Sequence, residues 1–167
     1  MSNTLDKLPV VQNNQNLVVS DEEVFQLVTF FLGGEVYGID ILAVQEIIRM
    51  QNITDVPRTA DYVEGVINLR GKVIPIIDLR KRFNLVASEE TKDSRIIVVE
   101  IHHKIIGMIV DGVSKVIRLN ADLVEPPSLI VGGADYNYIK GVGRINDQLV
   151  ILLDIEKIND VPAMVVV

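Results

Sequence analysis

The sequence has no cysteine and no tryptophan, and only 5% of its residues are aromatic. Without cysteine there are no disulfides and no thiol chemistry. With 49% hydrophobic residues but so few rings, the core must be built from aliphatic, largely β-branched side chains. No apolar run approaches the roughly 20 residues of a membrane helix. The start, Met1 to Lys7, lacks the basic and apolar regions of a signal peptide. Positive charge is also in short supply. The formal net charge is −7, which disfavours a nucleic-acid role because phosphate binding needs a basic face. The expectation is a soluble cytoplasmic protein with no nucleic-acid partner and no membrane insertion. A chain of 167 residues buries roughly 70% of its unfolded surface, so folding requires neither disulfide nor metal.

The common catalytic constellations are missing as well. His102 and His103 are adjacent, and neighbouring side chains on a strand point to opposite faces, so they chelate one metal poorly. Ser94, Ser114 and Ser128 lack the Gly-x-Ser-x-Gly elbow. Gly141-Val142-Gly143 lacks the third glycine of a dinucleotide fingerprint, and Gly132-Gly133 lacks the Gly-Lys-Ser/Thr ending of a phosphate loop. No catalytic residue, metal or cofactor is assigned, and the expectation is a protein that is not an enzyme. A basic cluster, Arg70, Lys72, Arg80, Lys81 and Arg82, is interrupted by Asp61, Glu64 and Asp78. It reads as a charged, solvated face, since no aromatic series accompanies it for stacking bases.

What the sequence does contain centres on Gly65 to Arg80. Two strands rich in valine and isoleucine flank a turn at Arg70-Gly71, where Gly71 supplies the positive φ of a tight hairpin. Asp78 ends the second strand and caps a short helix through Phe83. Upstream, strands over Val24–Leu32 and Val36–Ile39 are joined at Gly33-Gly34. A bend at Asp40-Ile41-Leu42 leads into a strand ending at Arg49. Alternation there puts Val44, Glu46 and Ile48 on one side, Gln45 and Ile47 on the other. Residues 52–62 form a loop and residues 86–94 a connector.

The chain then repeats itself. Residues 26–48 overlay residues 95–117 at a shift of 69, and residues 65–79 overlay 141–155 at a shift of 76. Gly38 falls on Gly107, Gly65 on Gly141 and Asp78 on Asp154. The additional length lies in a loop with Pro126-Pro127 and Gly132-Gly133. Two copies of about five short strands, 23–84 and 94–158, imply an all-β protein of two small barrels or sandwiches packed together. Residues 1–22 and 161–167 read as tails.

The duplication separates architecture from function. Features in both copies, such as Asp78 and Asp154 as helix caps, are architectural. Features in one copy are candidates for function. Arg70 falls opposite Asn146, Glu46 opposite Lys115, and Asn68 opposite Arg144. An arginine beside exposed apolar surface is a typical interface anchor.

Three pieces in order resemble one family: residues 40–47 (Asp-Ile-Leu-Ala-Val-Gln-Glu-Ile), the Gly65–Arg80 hairpin, and residues 141–145 leading to Leu152-Leu153-Asp154-Ile155. The chain resembles CheW, the chemotaxis coupling family, over roughly Phe25 to Ile158. The resemblance implies two intertwined five-stranded SH3-like barrels. It also implies a non-enzymatic adaptor between the histidine kinase CheA, through its CheW-like regulatory domain, and the cytoplasmic tips of chemoreceptors in membrane-associated arrays. The receptor-facing positions it implies are Val44, Glu46 and Arg70, with Ile48, Asn68 and Leu69 as neighbours. Asn84 stands where a glycine often follows the short helix; asparagine also tolerates the left-handed state. No kinase or receiver segment is seen. The same fold serves pilus-type and other non-flagellar arrays. A small-ligand-binding β-barrel is the alternative from another class, and would show a deep apolar cavity between the barrels.

Overall fold

Valine, isoleucine and glycine in short runs between two-residue turns produce ten strands among the described residues. The computed structural model describes residues 23–127 and 136–158. The two expected tails, Ser128 and Gly132-Gly133 lie outside the described residues. The strands are β1 (Val24–Leu32), β2 (Glu35–Asp40), β3 (Val44–Arg49), β4 (Val63–Leu69) and β5 (Lys72–Asp78) in the first copy. The second copy supplies β6 (Arg95–Ile101), β7 (Lys104–Val110), β8 (Gly112–Asn120), β9 (Ile139–Ile145) and β10 (Gln148–Leu153). Short helices α1 (Leu79–Arg82) and α2 (Ile155–Ile158) follow β5 and β10.

Among the described residues four hairpins turn on two residues, both with positive φ: Gly33-Gly34, Arg70-Gly71, His102-His103 and Asn146-Asp147. This is the backbone of a type I′ turn, whose twist matches the strands it joins. Asn84, after α1, takes φ 59°. Asp78 caps α1 by accepting from the Arg80 and Lys81 amides, and Asp154 caps α2 by accepting from that of Glu156. Both caps expected from the duplication are therefore present.

Neither sheet is built from one copy. One has the order β9-β10-β2-β1-β8 and the other β3-β6-β7-β5-β4. Each takes three strands from one copy and two from the other. The exchange is reciprocal: β10 runs parallel to β2 with Leu152 beside Gly38, and β5 runs parallel to β7 with Ile76 beside Gly107. Under the shifts of 76 and 69 these are the same contact made twice. Contiguous copies packed side by side would have left both parallel pairs unmade.

Gly65 and Gly141 sit at register shifts where a returning loop crosses the sheet. A Cβ on Gly65 would lie 2.1 Å from the Thr54 carbonyl oxygen, and one on Gly141 would lie 2.5 Å from Val124. Only glycine permits this approach. It lets Thr54 pair with Val66 and Glu125 with Val142, so the chain after an edge strand, β3 or β8, returns to the far edge of the same sheet.

The main core crosses both sheets and both copies. Phe30, Tyr37, Ile77, Phe83, Ile97, Val99, Met108 and Ile151 are among its buried members. Phe30, Tyr37, Phe83 and Tyr138 form a run of rings with centroids 5.5 to 6.1 Å apart. These side chains pack the centre of the seam between the sheets. A fully buried aliphatic side chain contributes about 1.5–3 kcal/mol, and this shared core is why the two sheets form one unit.

Candidate partner-binding site

β3 is an edge strand, and its burial alternates between half-buried and exposed. Val44, Glu46 and Ile48 take the half-buried positions, with Gln45 and Ile47 exposed. A bulge between Val44 and Glu46 interrupts the pairing with β6 without disturbing this alternation. Val44 packs against the main core, while Ile48 and Leu69 pack against a second cluster formed by Ile67, Ile74, Ile76, Ile96 and Val98.

The polar candidates meet at the surface. Arg70, at the tip of the β4–β5 turn, donates from Nη2 to Oε2 of Glu46 on β3. The Arg70 side chain is 70% exposed and that of Glu46 30%. Neither reads as a bare solvated charge; each holds the other. Asn68 Oδ1 accepts from the Gly71 amide at 2.9 Å, so Asn68 stiffens the turn that carries Arg70. Arg70 itself has φ 50°, a left-handed conformation that costs an ordinary side chain roughly 1–2 kcal/mol. Asn146 holds the equivalent place with φ 51°, and asparagine takes that conformation readily.

Of the remaining basic residues, Lys72 is exposed, while Arg80, Lys81 and Arg82 each meet a partner. Arg80 grips Asp111 with two hydrogen bonds, Nε to Oδ1 at 3.0 Å and Nη2 to Oδ2 at 2.5 Å, and donates from Nη1 to the Val86 carbonyl at 2.8 Å. Asp111 also accepts from the Gly33 amide at 2.9 Å. Lys81 pairs with Glu64 at 2.7 Å, and this bond is the first cause holding its ammonium above the usual range. The Arg82 guanidinium lies between the rings of Tyr62, at 4.4 Å, and Tyr138, at 4.7 Å. These tyrosines are equivalent under the shift of 76, so Arg82 bridges the two copies. The solvated-face reading thus fails for the half-buried Arg80 and Arg82, while Lys72 and Lys81 are exposed. Each of the two arginines has a partner distant in sequence, which composition alone does not show.

Exposed apolar residues are the feature sequence reasoning missed. Ile47 and Phe31, 40% and 42% exposed, line a groove of about 350 Å³ with Arg95, Asp93 and Val113. Strand alternation places Ile47 outward, but nothing local says that β1 of the other sheet brings Phe31 beside it. Among the described residues no group of three or more His, Asp or Glu could hold a metal ion, and no helix is long and apolar enough to cross a membrane.

The CheW-like domain family matches residues 26–162. The chain is 40% identical over 146 residues to chemotaxis protein CheW of Treponema pallidum, covering 85% of each. It is 40% identical over 139 residues to chemotaxis protein CheW of Helicobacter pylori, covering 83% of each. The crystal structure of the scaffolding protein TtCheW from Thermoanaerobacter tengcongensis is similar at a TM-score of 0.73 and 41% identity. That match covers 79% of this chain and 90% of the other.

Proposed function

The chain belongs to the CheW family of chemotaxis coupling proteins, and from that membership we propose that it is a non-enzymatic, cytoplasmic adaptor joining chemoreceptor tips to the histidine kinase CheA at membrane-associated arrays. Val44, Glu46 and Arg70 form the receptor site in this reading. The observation that carries the assignment is Arg70 itself: an exposed guanidinium, pinned by Glu46, at a turn position where the backbone disfavours arginine. Stability alone gives no reason to place it there.

The receptor tip, a helical hairpin, lays an apolar stripe along β3, and the Arg70–Glu46 pair fixes its register by charge. Val44 supports the strand from below because it packs inward, and Ile47 with Phe31 offers the exposed apolar contact. Ile48, Leu69 and Asn68 act through the strand and turn they hold. The CheW-like domain of the kinase takes other exposed parts of the two sheets. Each contact buries on the order of 800 Å² per partner or less, and coupling depends on several modest contacts held in one geometry.

The test is a pulldown of the full chain with kinase and receptor fragments. Wild type retains both; Arg70→Glu keeps the kinase and loses the receptor while its melting curve stays near wild type. Unchanged receptor retention by Arg70→Glu removes Arg70 from the site. Kinase autophosphorylation that is the same with and without the chain, receptor present, ends the coupling assignment.

A further inference from the structure

The two copies carry equivalent grooves with different contents. The first, about 470 Å³, lies between the turn of residues Ile41–Ala43 and helix α2. The second, about 170 Å³, lies between α1 and the connector at Ser88–Glu90. Under the shifts of 69 and 76, Leu42 corresponds to Asp111, Glu156 to Arg80, Asp154 to Asp78 and Asp40 to Ile109. All eight line their respective grooves.

The second groove shows what such a space accepts. A guanidinium, that of Arg80, lies along its wall. It is held by the Asp111 carboxylate and the Val86 carbonyl. The first groove has neither member of that pair. Glu156 replaces the arginine, and its carboxylate, 66% exposed, pairs among the described residues with His102 at 3.5 Å. Leu42 replaces the aspartate and is 90% exposed. Asp40, Glu100 and Asp154 bring the carboxylates to four, against one ammonium, Lys140. Asp40 caps the turn that lifts Leu42 outward, accepting from the Leu42 amide at 2.9 Å. An apolar knob, a negative rim and an unfilled volume call for an aliphatic stem ending in a delocalised cation.

We propose that the groove between Leu42 and Glu156 is a docking site for an arginine-bearing segment of a partner protein. The guanidinium sits against Glu156 and its stem lies on Leu42. The site is separate from Arg70 and Glu46, and it gives a use to the Asp40–Ala43 part of the β2–β3 turn that the receptor site leaves idle.

The test uses the full chain, isotope-labelled, and two capped pentapeptides at millimolar concentration: Ala-Leu-Arg-Leu-Ala and the same peptide with neutral, isosteric citrulline. The arginine peptide should shift the amide signals of Leu42, His102 and Glu156, and the citrulline peptide should bind about tenfold more weakly, as loss of a charge-assisted hydrogen bond requires. Arg70→Asn should bind the arginine peptide like wild type. A double variant, Leu42→Asp with Glu156→Arg, rebuilds the pair of the other groove, so it should fold and melt like wild type while losing the peptide. Three results overturn the proposal: no shifts at these residues, equal binding of the two peptides, or contacts from residues 161–167 to Leu42 in the free chain, which would make the chain its own occupant.

Discussion

Glu46 and Arg70 stand at opposite edges of one sheet and are joined by an ion pair. Glu46 lies on β3, the first strand of the order β3-β6-β7-β5-β4, and Arg70 on the turn leaving β4, the last. The pair therefore crosses the line where the two edges approach, beside the Thr54–Val66 bridge. Exposed pairs of this kind contribute about 0–1 kcal/mol. Its value lies in where it holds the guanidinium.

Arg70→Asn tests this directly. The variant gives the turn the residue that its counterpart already uses at Asn146. Relief of the left-handed backbone offsets the lost ion pair, so stability by urea denaturation should stay within about 0.5 kcal/mol of wild type while receptor retention falls. A loss of several kcal/mol would show instead that the pair holds the fold.

Arg80 and Lys81 are neighbours with unequal consequences. Arg80→Met leaves Asp111 with only the Gly33 amide among the bonds described above and should cost about 1–3 kcal/mol. Lys81→Met breaks a pair whose side chains are 38% and 28% exposed and should cost about 0–1 kcal/mol. Equal costs in parallel urea titrations would contradict the two-bond clamp on Asp111.

Asp78 makes stability depend on pH. Burial, the largest influence, raises its carboxyl above the usual carboxylate range; the Lys81 and Arg80 amides oppose this only in part. A carboxyl raised on folding favours the folded state fully below its unfolded value, near 3.8, and loses that contribution as pH rises through the folded value. Asn keeps the cap and removes the titration. The stability of Asp78→Asn relative to wild type should therefore climb with pH from the unfolded value upward and then level off. A difference that falls with pH has the wrong sign for a buried carboxyl.

Gly65 and Gly141 give a comparison within one molecule. Both face a crossing loop, but only Gly65 also has a positive φ, 145°. Gly65→Ala should exceed Gly141→Ala in cost by about 1–3 kcal/mol, the price of that backbone region for an ordinary residue. Calorimetry on both variants reads the difference.

Local chemistry was legible from the sequence where it acts over a few residues. The two-residue turns, the Asp78 and Asp154 caps and the alternation of β3 follow from residue types at fixed short spacing. The asymmetry between copies singles out Arg70 and Glu46. It could not say that they touch, because 24 residues separate them and only the curl of the sheet brings the edges near. The solvated-face reading of Arg80 and Arg82 failed for the same reason.

By itself the sequence determined that the chain is a duplicated set of aliphatic hairpins, because strand period, turn residues and repeats are properties of neighbours along the chain. Tertiary structure decided which hairpin pairs with which. The parallel contacts of β10 with β2 and β5 with β7 join segments that carry no mark of each other. Burial of one shared core favours their exchange between copies, and burial is a property of the whole chain.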